Sequence, residues 1–407
     1  MFTQQLYNHL ARHRWRVSVT SMPVGTAGVV AAAAVAVAAY FVLVDTHGIH
    51  RVPHAAPRAV PLEVTAFAPG EVNNYLAVHT RVHAAGAVPG QETVVAAPDG
   101  TLWVFDETGW LQRVSVEGEG GAQRVLYVGG RVLGAAFSRN GSVLYACDVG
   151  KGLIGVDIGA RRVEVLAAAS DDGVPVLYCD DVDVDPTTGV VYFTDAMAMA
   201  PVRTARGKWS TMQLAMVDFF RGAGDGRLLA YDPASRAVTV LLSRLYFANG
   251  VAVARDGSYV LVAETFNARI LRYWLTGPRA GSSEIFALLP AMPDGISAAP
   301  DGSGYWAACP TLVSRTAALA AANPLLRRII GSLRPPYWPS SPAYGLAIKL
   351  DRRGDVVASL HDPTGATVSF ISAVTQVGDT LYFGQLHGAS VPSVRLPPAL
   401  APVPTSA

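Results

Sequence analysis

This chain is short of charge. Asp, Glu, Lys and Arg make up only 15% of its 407 residues, and the formal net charge is +1. With that balance and no basic stripe, nothing marks a nucleic-acid surface or a charged disordered tail. Cysteine is scarce as well: Cys147, Cys179 and Cys309 are the three present, and none has metal-ligand spacing to another. Two of them could pair in an oxidising compartment and leave a thiol over, but the expectation for each is a buried free cysteine. Several chemistry-bearing motifs are missing too. No GxSxG, HExxH, P-loop or CxxC element occurs, which removes those routes to function.

Apolar residues are plentiful, at 51%, and one run of them is long. Val24 to Val44 carries no charge over 21 residues. At about 1.5 Å rise per residue such a helix spans about 30 Å, the hydrocarbon thickness of a bilayer. Arg12, Arg14 and Arg16 precede it, whereas Asp45 and His47 follow. The positive-inside rule then keeps the N-terminus cytoplasmic and places the rest in the lumen or outside, as a single-pass type II protein of an endomembrane or the plasma membrane. A cleaved signal peptide is the competing reading, but its apolar core is typically about 7 to 15 residues. Residues 1–23 read as a short cytoplasmic segment. Residues 45–61, with His47, His50 and His54 among three prolines, read as a linker rather than a metal site.

Beyond the linker the chain repeats itself. Tyr246 to Trp274 reads as three strands of alternating apolar and polar residues with an Asp256-Gly257 turn between the first two. Related units lie at Gln91–Asp106, Val132–Asp148, Cys179–Asp195, Pro293–Cys309 and Ile371–Leu386. A strand pair recurring every 40 to 50 residues or so predicts propeller blades. The fold expected is an all-β six-bladed propeller over 62–397, behind one N-terminal transmembrane helix and before a loose tail, 398–407. Leu62 to Pro69 is expected to supply the strand that completes the sixth sheet and removes its open edge.

Two insertions break the period, Thr194–Gly226 and Thr311–Tyr344, both with helix-like apolar spacing. Long loops of this kind cover a binding face or touch a partner, and LLRRIIGSL could also lie on a membrane surface. Asn140-Gly141-Ser142 is a glycosylation acceptor in a hairpin turn. Glu264 with Arg269 or Arg272 reads as a surface or inter-strand ion pair.

The residues that open the innermost strands carry the chemistry. They are Glu92 in the first blade, Asp180 or Asp181 in the third, Asn249 in the fourth and Asp294 in the fifth. Innermost strands line a propeller's channel, so side chains at equal phase converge on the axis. Carboxylates and an amide packed together call for a cation, and oxygen donors of this kind suit Ca²⁺. The second blade offers Leu133, an apolar gap through which a substrate group or water could reach the ion.

The run GRLLAYDPASRAVTVLLSRLYFANGVAVARDGSYVLVAETFNARILRYWLTGPRAGSSEIF, with MPDGIS, SLHDPTG and ISAVTQVGDTLYFG after it, resembles the strictosidine synthase-like proteins, closest to the branch with a single N-terminal membrane anchor. The resemblance implies a six-bladed propeller related to paraoxonases and gluconolactonases, whose central Ca²⁺ would here be held by Glu92, Asp180, Asn249 and Asp294. It also shows departures. The glutamate that strictosidine synthases use to deprotonate an amine falls on Ser372, and the paraoxonase histidine falls on Leu133. The function implied is a Ca²⁺-dependent esterase or lactonase-type hydrolase of small substrates. Asp180 or Asp181 would be the base, with His387 and, less so, His361 as further candidates. The alternatives are a non-catalytic propeller that uses a structural metal and binds a protein partner, and an amine-aldehyde condensing enzyme, which Ser372 disfavours.

Overall fold

The computed structural model describes residue 62, residues 65–67 and residues 71–401 apart from 118–120, 206 and 334–337. The predicted anchor Val24–Val44 and the linker with His47, His50 and His54 lie outside the described residues. Among the described residues no helix is long and apolar enough to cross a membrane.

The alternating pattern after Tyr246 forms the strands it predicts, Ala248–Val253, Tyr259–Glu264 and Arg269–Trp274, with Ser283–Leu288 on the outside. Asp256 builds the first turn by accepting from the N–H and hydroxyl of Ser258, while Gly257 takes a φ of +66°. The same four-stranded antiparallel unit occurs six times among the described residues. The innermost strands, in blade order, are Val94–Ala96, Val132–Phe137, Cys179–Val184, Ala248–Val253, Ile296–Ala298 and Ile371–Val377. The fold is a six-bladed β-propeller.

Ring closure differs from the expectation. The strand that completes the sixth sheet is Arg81–His83, paired antiparallel with Val391–Arg395, and not Leu62–Pro69. Leu62 is instead buried in an apolar cluster, and Phe67 meets His361 edge-on at 4.7 Å. Between them and the closing strand lies a short helix, α1 (Tyr75–His79). A strand of three residues is too short to show an alternating pattern, so the longer apolar stretch drew the prediction.

The thiol expectation is also corrected. Cys147 and Cys179 form a disulfide between the second and third blades, and Cys309 alone stays free and buried. Thirty-two residues separate the pair in sequence, but neighbouring blades bring their Cα atoms to 4.9 Å, within disulfide reach. Of the two ion-pair readings the inter-strand one holds, since Glu264 lies opposite Arg269 on the neighbouring strand. Glu264 is buried, paired with Arg269 and accepting from the Tyr246 N–H and the Asn267 amide, while Arg272 turns to Glu284.

Both insertions fold as helices. The first gives α2 (Thr211–Arg221), ended by Gly222 in the left-handed region at φ +54°, and the second gives α3 (Arg315–Ala322) and α4 (Pro324–Gly331). Ser314 caps α3 by accepting from the Ala317 N–H. Asn323 caps α4 by accepting from the Leu326 N–H, with Pro324 in the first turn. Side chains of α2 and α3 share one buried cluster with Leu133, Tyr178, Phe247 and Phe266 of the blades. A file of rings, Tyr178, Phe247, Phe266, Phe219, Phe220 and Trp338, links ring to cap with successive centroids 5.0 to 5.6 Å apart. The insertions therefore form an apolar cap on the donor end of the channel.

Candidate functional site

Glu92, Leu133, Asp180, Asn249, Asp294 and Ser372 each stand at or just before the start of an innermost strand, and all six line one cavity of about 520 Å³. From this ring the cavity follows the strands to the turns at Pro98, Arg139 and Pro186, at the end away from the cap. Its size suits a small molecule.

The backbone aims these side chains in a consistent way. The pairing of the innermost strand slips between Val132 and Ala135, between Cys179 and Val182, between Ala248 and Val251, and between Ile371 and Ala373. Each irregularity falls on the ring position, where a bulge re-aims a side chain. Neighbouring blades are then stitched together at that level. Gly250 N–H donates to the Asp294 carbonyl at 3.0 Å, and Gly295 N–H to the Ser372 carbonyl at 2.8 Å. The Ser372 hydroxyl donates to the Glu92 carbonyl at 2.7 Å, and the Thr194 hydroxyl to the Asn249 carbonyl at 2.7 Å. A Cβ on Gly250 would overlap the Asp294 carbonyl, and one on Gly295 would crowd that of Ser372. The Asn-Gly and Asp-Gly pairs here therefore serve close approach of two backbones rather than a hairpin turn.

Bringing carboxylates into this space perturbs them. Burial pushes Asp180 well above the usual carboxylate range, and repulsion from Asp294 and Glu92 adds to it. Asp294 is raised likewise by burial and then by Glu92, while a hydrogen bond from Asn249 works the other way. Burial raises Glu92 too, but Arg131 opposes the shift. Tyr178 lies in the same field, its phenol raised well above normal by burial and then by Asp180 and Glu92.

The structure separates the two aspartates that the sequence leaves open. Asp181 spends its oxygens on the backbone N–H groups of Val251 and Val182, which ties blade three to blade four, and burial brings it to about 7. Asp180 has the ring position. His387 is exposed and meets Phe370 edge-on at 5.2 Å, within electrostatic reach of Glu92. His361 is buried in the outer strand Val356–Asp362, bonded at 2.8 Å to the hydroxyls of both Tyr344 and Ser359 and absent from the cavity wall. Asn140 is exposed, its Oδ1 accepting from Ser142.

Arg131 was not foreseen. It precedes the second blade's innermost strand, and its guanidinium lies 2.8 Å from the Glu92 carboxylate with both side chains buried. A second nitrogen of the same group donates to the Gly90 carbonyl. At the second blade Leu133 lines the cavity and also packs into the cap cluster, while the Arg131 guanidinium lies off the cavity wall, paired with Glu92. A cation beside the one blade without a donor was the available signal, in Arg131-Val132-Leu133.

The donor set fits a hard divalent cation: the carboxylates of Glu92, Asp180 and Asp294 and the amide of Asn249 line one end of the cavity, and the guanidinium beside them is paired with Glu92. As they stand, no three His, Cys, Asp or Glu side chains among the described residues are grouped to hold a metal ion, and Glu92 is engaged by Arg131.

The family model for strictosidine synthase matches residues 180–278. The strictosidine synthase-like protein 10 of Arabidopsis thaliana is 34% identical over 273 residues, covering 65% of this chain and 69% of the relative. The chain belongs to the strictosidine synthase-like family. The adipocyte plasma membrane-associated protein of Rattus norvegicus is 31% identical over 267 residues, covering 63% of this chain and 68% of that one. Among solved structures, a gluconolactonase from Xanthomonas campestris has a TM-score of 0.55 at 16% identity, covering 85% of this chain and 99% of its own. A putative gluconolactonase gives 0.53 at 16% identity, covering 78% and 91%. These last likenesses concern the fold alone. In this strictosidine synthase-like chain Ser372 holds the sixth blade to the first by its bond to the Glu92 carbonyl, so the position is used for stitching.

Proposed function

We propose that this strictosidine synthase-like propeller is a Ca²⁺-dependent hydrolase of small esters or lactones. The observation that carries the reading is the convergence of Glu92, Asp180, Asn249 and Asp294 on one end of a cavity sized for a small molecule. Glu92, Asn249 and Asp294 would hold the ion, with Asp180 as the fourth ligand or as the group that takes a proton from water. Ca²⁺ bound there would polarise an ester carbonyl. The chain's own contribution is rigidity and dryness: backbone bonds between blades fix the donors, and the apolar cap keeps water from the ring at one end. Asp181, committed to two backbone amides, and His387, exposed and absent from the cavity wall, are weaker candidates for the base.

In the cell this reading places the propeller in the lumen or outside, behind the membrane helix read at Val24–Val44. The Cys147–Cys179 disulfide supports an oxidising compartment, and the exposed Asn140 supports glycosylation there. The test is an ester and lactone panel on the detergent-solubilised full chain, with metal content measured in parallel. Turnover lost on chelation supports the proposal. Bound Ca²⁺ without any turnover points instead to a binding propeller, a reading favoured by the exposed Val202, Met212, Leu319 and Leu325 on the cap insertions.

A further inference from the structure

Arg131 stands beside the ring, off the cavity wall, and holds one of its carboxylates. It is a fixed cation against Glu92, a residue that on the reading above would also hold a divalent ion. Its side chain and that of Glu92 are only 6% and 10% exposed, so the pair is desolvated. The Gly90 carbonyl holds the guanidinium from a second side, and its field reaches Asp180 and Tyr178. An exposed arginine would swing away at little cost, but this one is boxed in.

We infer that Arg131 is an internal counter-cation that competes with the divalent ion for Glu92 and so sets the threshold at which the site fills. The inference rests on the metal reading and deepens it. For Glu92 to coordinate an ion, its carboxylate must leave the guanidinium or be shared with it, and sharing brings two positive charges together in a medium that screens poorly. Without a divalent ion, Arg131 limits the repulsion among Glu92, Asp180 and Asp294. With one present, it weakens binding. Affinity is thereby moved toward the range of extracellular Ca²⁺ modules, about 10⁻⁴ to 10⁻³ M. A site of that strength fills where the predicted topology puts the propeller and stays empty at cytosolic concentrations.

The experiment uses the detergent-solubilised full chain, wild type and Arg131→Met, with Ca²⁺ alone as the probe in calorimetric titration and thermal unfolding. Arg131→Met should bind Ca²⁺ at least about tenfold tighter. It should melt earlier than wild type in chelator and gain more in melting temperature when Ca²⁺ is added. Equal Ca²⁺ affinity in the two proteins, or weaker binding by the variant, overturns the competition and leaves the metal reading standing. Absence of Ca²⁺ binding by both overturns the inference and the metal reading together. If Arg131→Met does not accumulate folded, Arg131→Gln removes the charge but keeps an amide that can donate to Glu92 or Gly90. Its Ca²⁺ affinity should then exceed that of wild type, and an unchanged value again overturns the inference.

Discussion

The Gly250 N–H donates to the carbonyl oxygen of Asp294 across 3.0 Å, so that two residues 44 positions apart are joined main chain to main chain beside the candidate site. Close approach of this kind leaves no room for a side chain. Gly250→Ala should therefore lower stability by about 2 kcal/mol or more, in line with overpacking of a tight contact. Gly121→Ala, at a glycine with nothing within 4 Å and no positive φ, should be neutral. Thermal unfolding of the two variants checks this, and equal melting temperatures would contradict the close-packed ring.

The ring donors act as a set on the metal reading, so removal of either a neutral or a charged member should show. Asn249→Ala and Asp294→Asn are each expected to weaken Ca²⁺ binding by about 100-fold or more and to abolish ester turnover. Asp181→Asn, which changes a blade-to-blade tie, should affect stability more than affinity. Calorimetric titration of Ca²⁺ beside unfolding curves separates the two effects.

The disulfide ties the second blade to the strand that opens with Asp180. Replacing both Cys147 and Cys179 by serine should cost about 2 to 4 kcal/mol and leave Cys309 as the single thiol. Thiol labelling of the unfolded wild-type protein without reductant should find one reactive cysteine; three would exclude the bond.

The cap hangs on its rings. Phe219 touches Phe220 and Phe266, and Phe219→Ala should cost about 3 kcal/mol locally. Hydrogen exchange should speed up across Thr211–Arg221 and change little in Tyr259–Glu264. Uniform loosening of both segments would show that cap and blades open as one unit.

His361 gives a pH signature. Burial lowers it to about 4, whereas its unfolded value is near 6.5. The unfolded chain thus binds a proton that the folded chain refuses between those limits, so this contribution to stability is complete above about 6.5 and is lost as pH falls toward 4. His361→Gln should flatten that part of the stability profile, measured by denaturant unfolding from pH 4 to 7. An unchanged slope would mean that the histidine titrates normally in the folded chain.

Much of the ring could be read beforehand because repetition makes position meaningful. Glu92, Asn249 and Asp294 occupy one phase of a repeated unit, and a closed ring turns equal phase into spatial convergence. Asp180 and Asp181 could not be separated that way, since the choice depends on a register slip between Cys179 and Val182 that no residue pattern records. Arg131 was missed for a related reason: it stands outside the aligned phase, and only the fold brings its guanidinium against Glu92.

The amino-acid sequence by itself determined the six-bladed architecture, the membership of the family and the ring positions of Glu92, Asn249 and Asp294, because alternation, turn chemistry and periodicity are local properties that add up along a chain. Tertiary structure alone decided which strand closes the ring, which cysteines pair, what the insertions cover and which cation Glu92 faces. Those outcomes are contacts between segments far apart in sequence, set by the space left once the blades have packed.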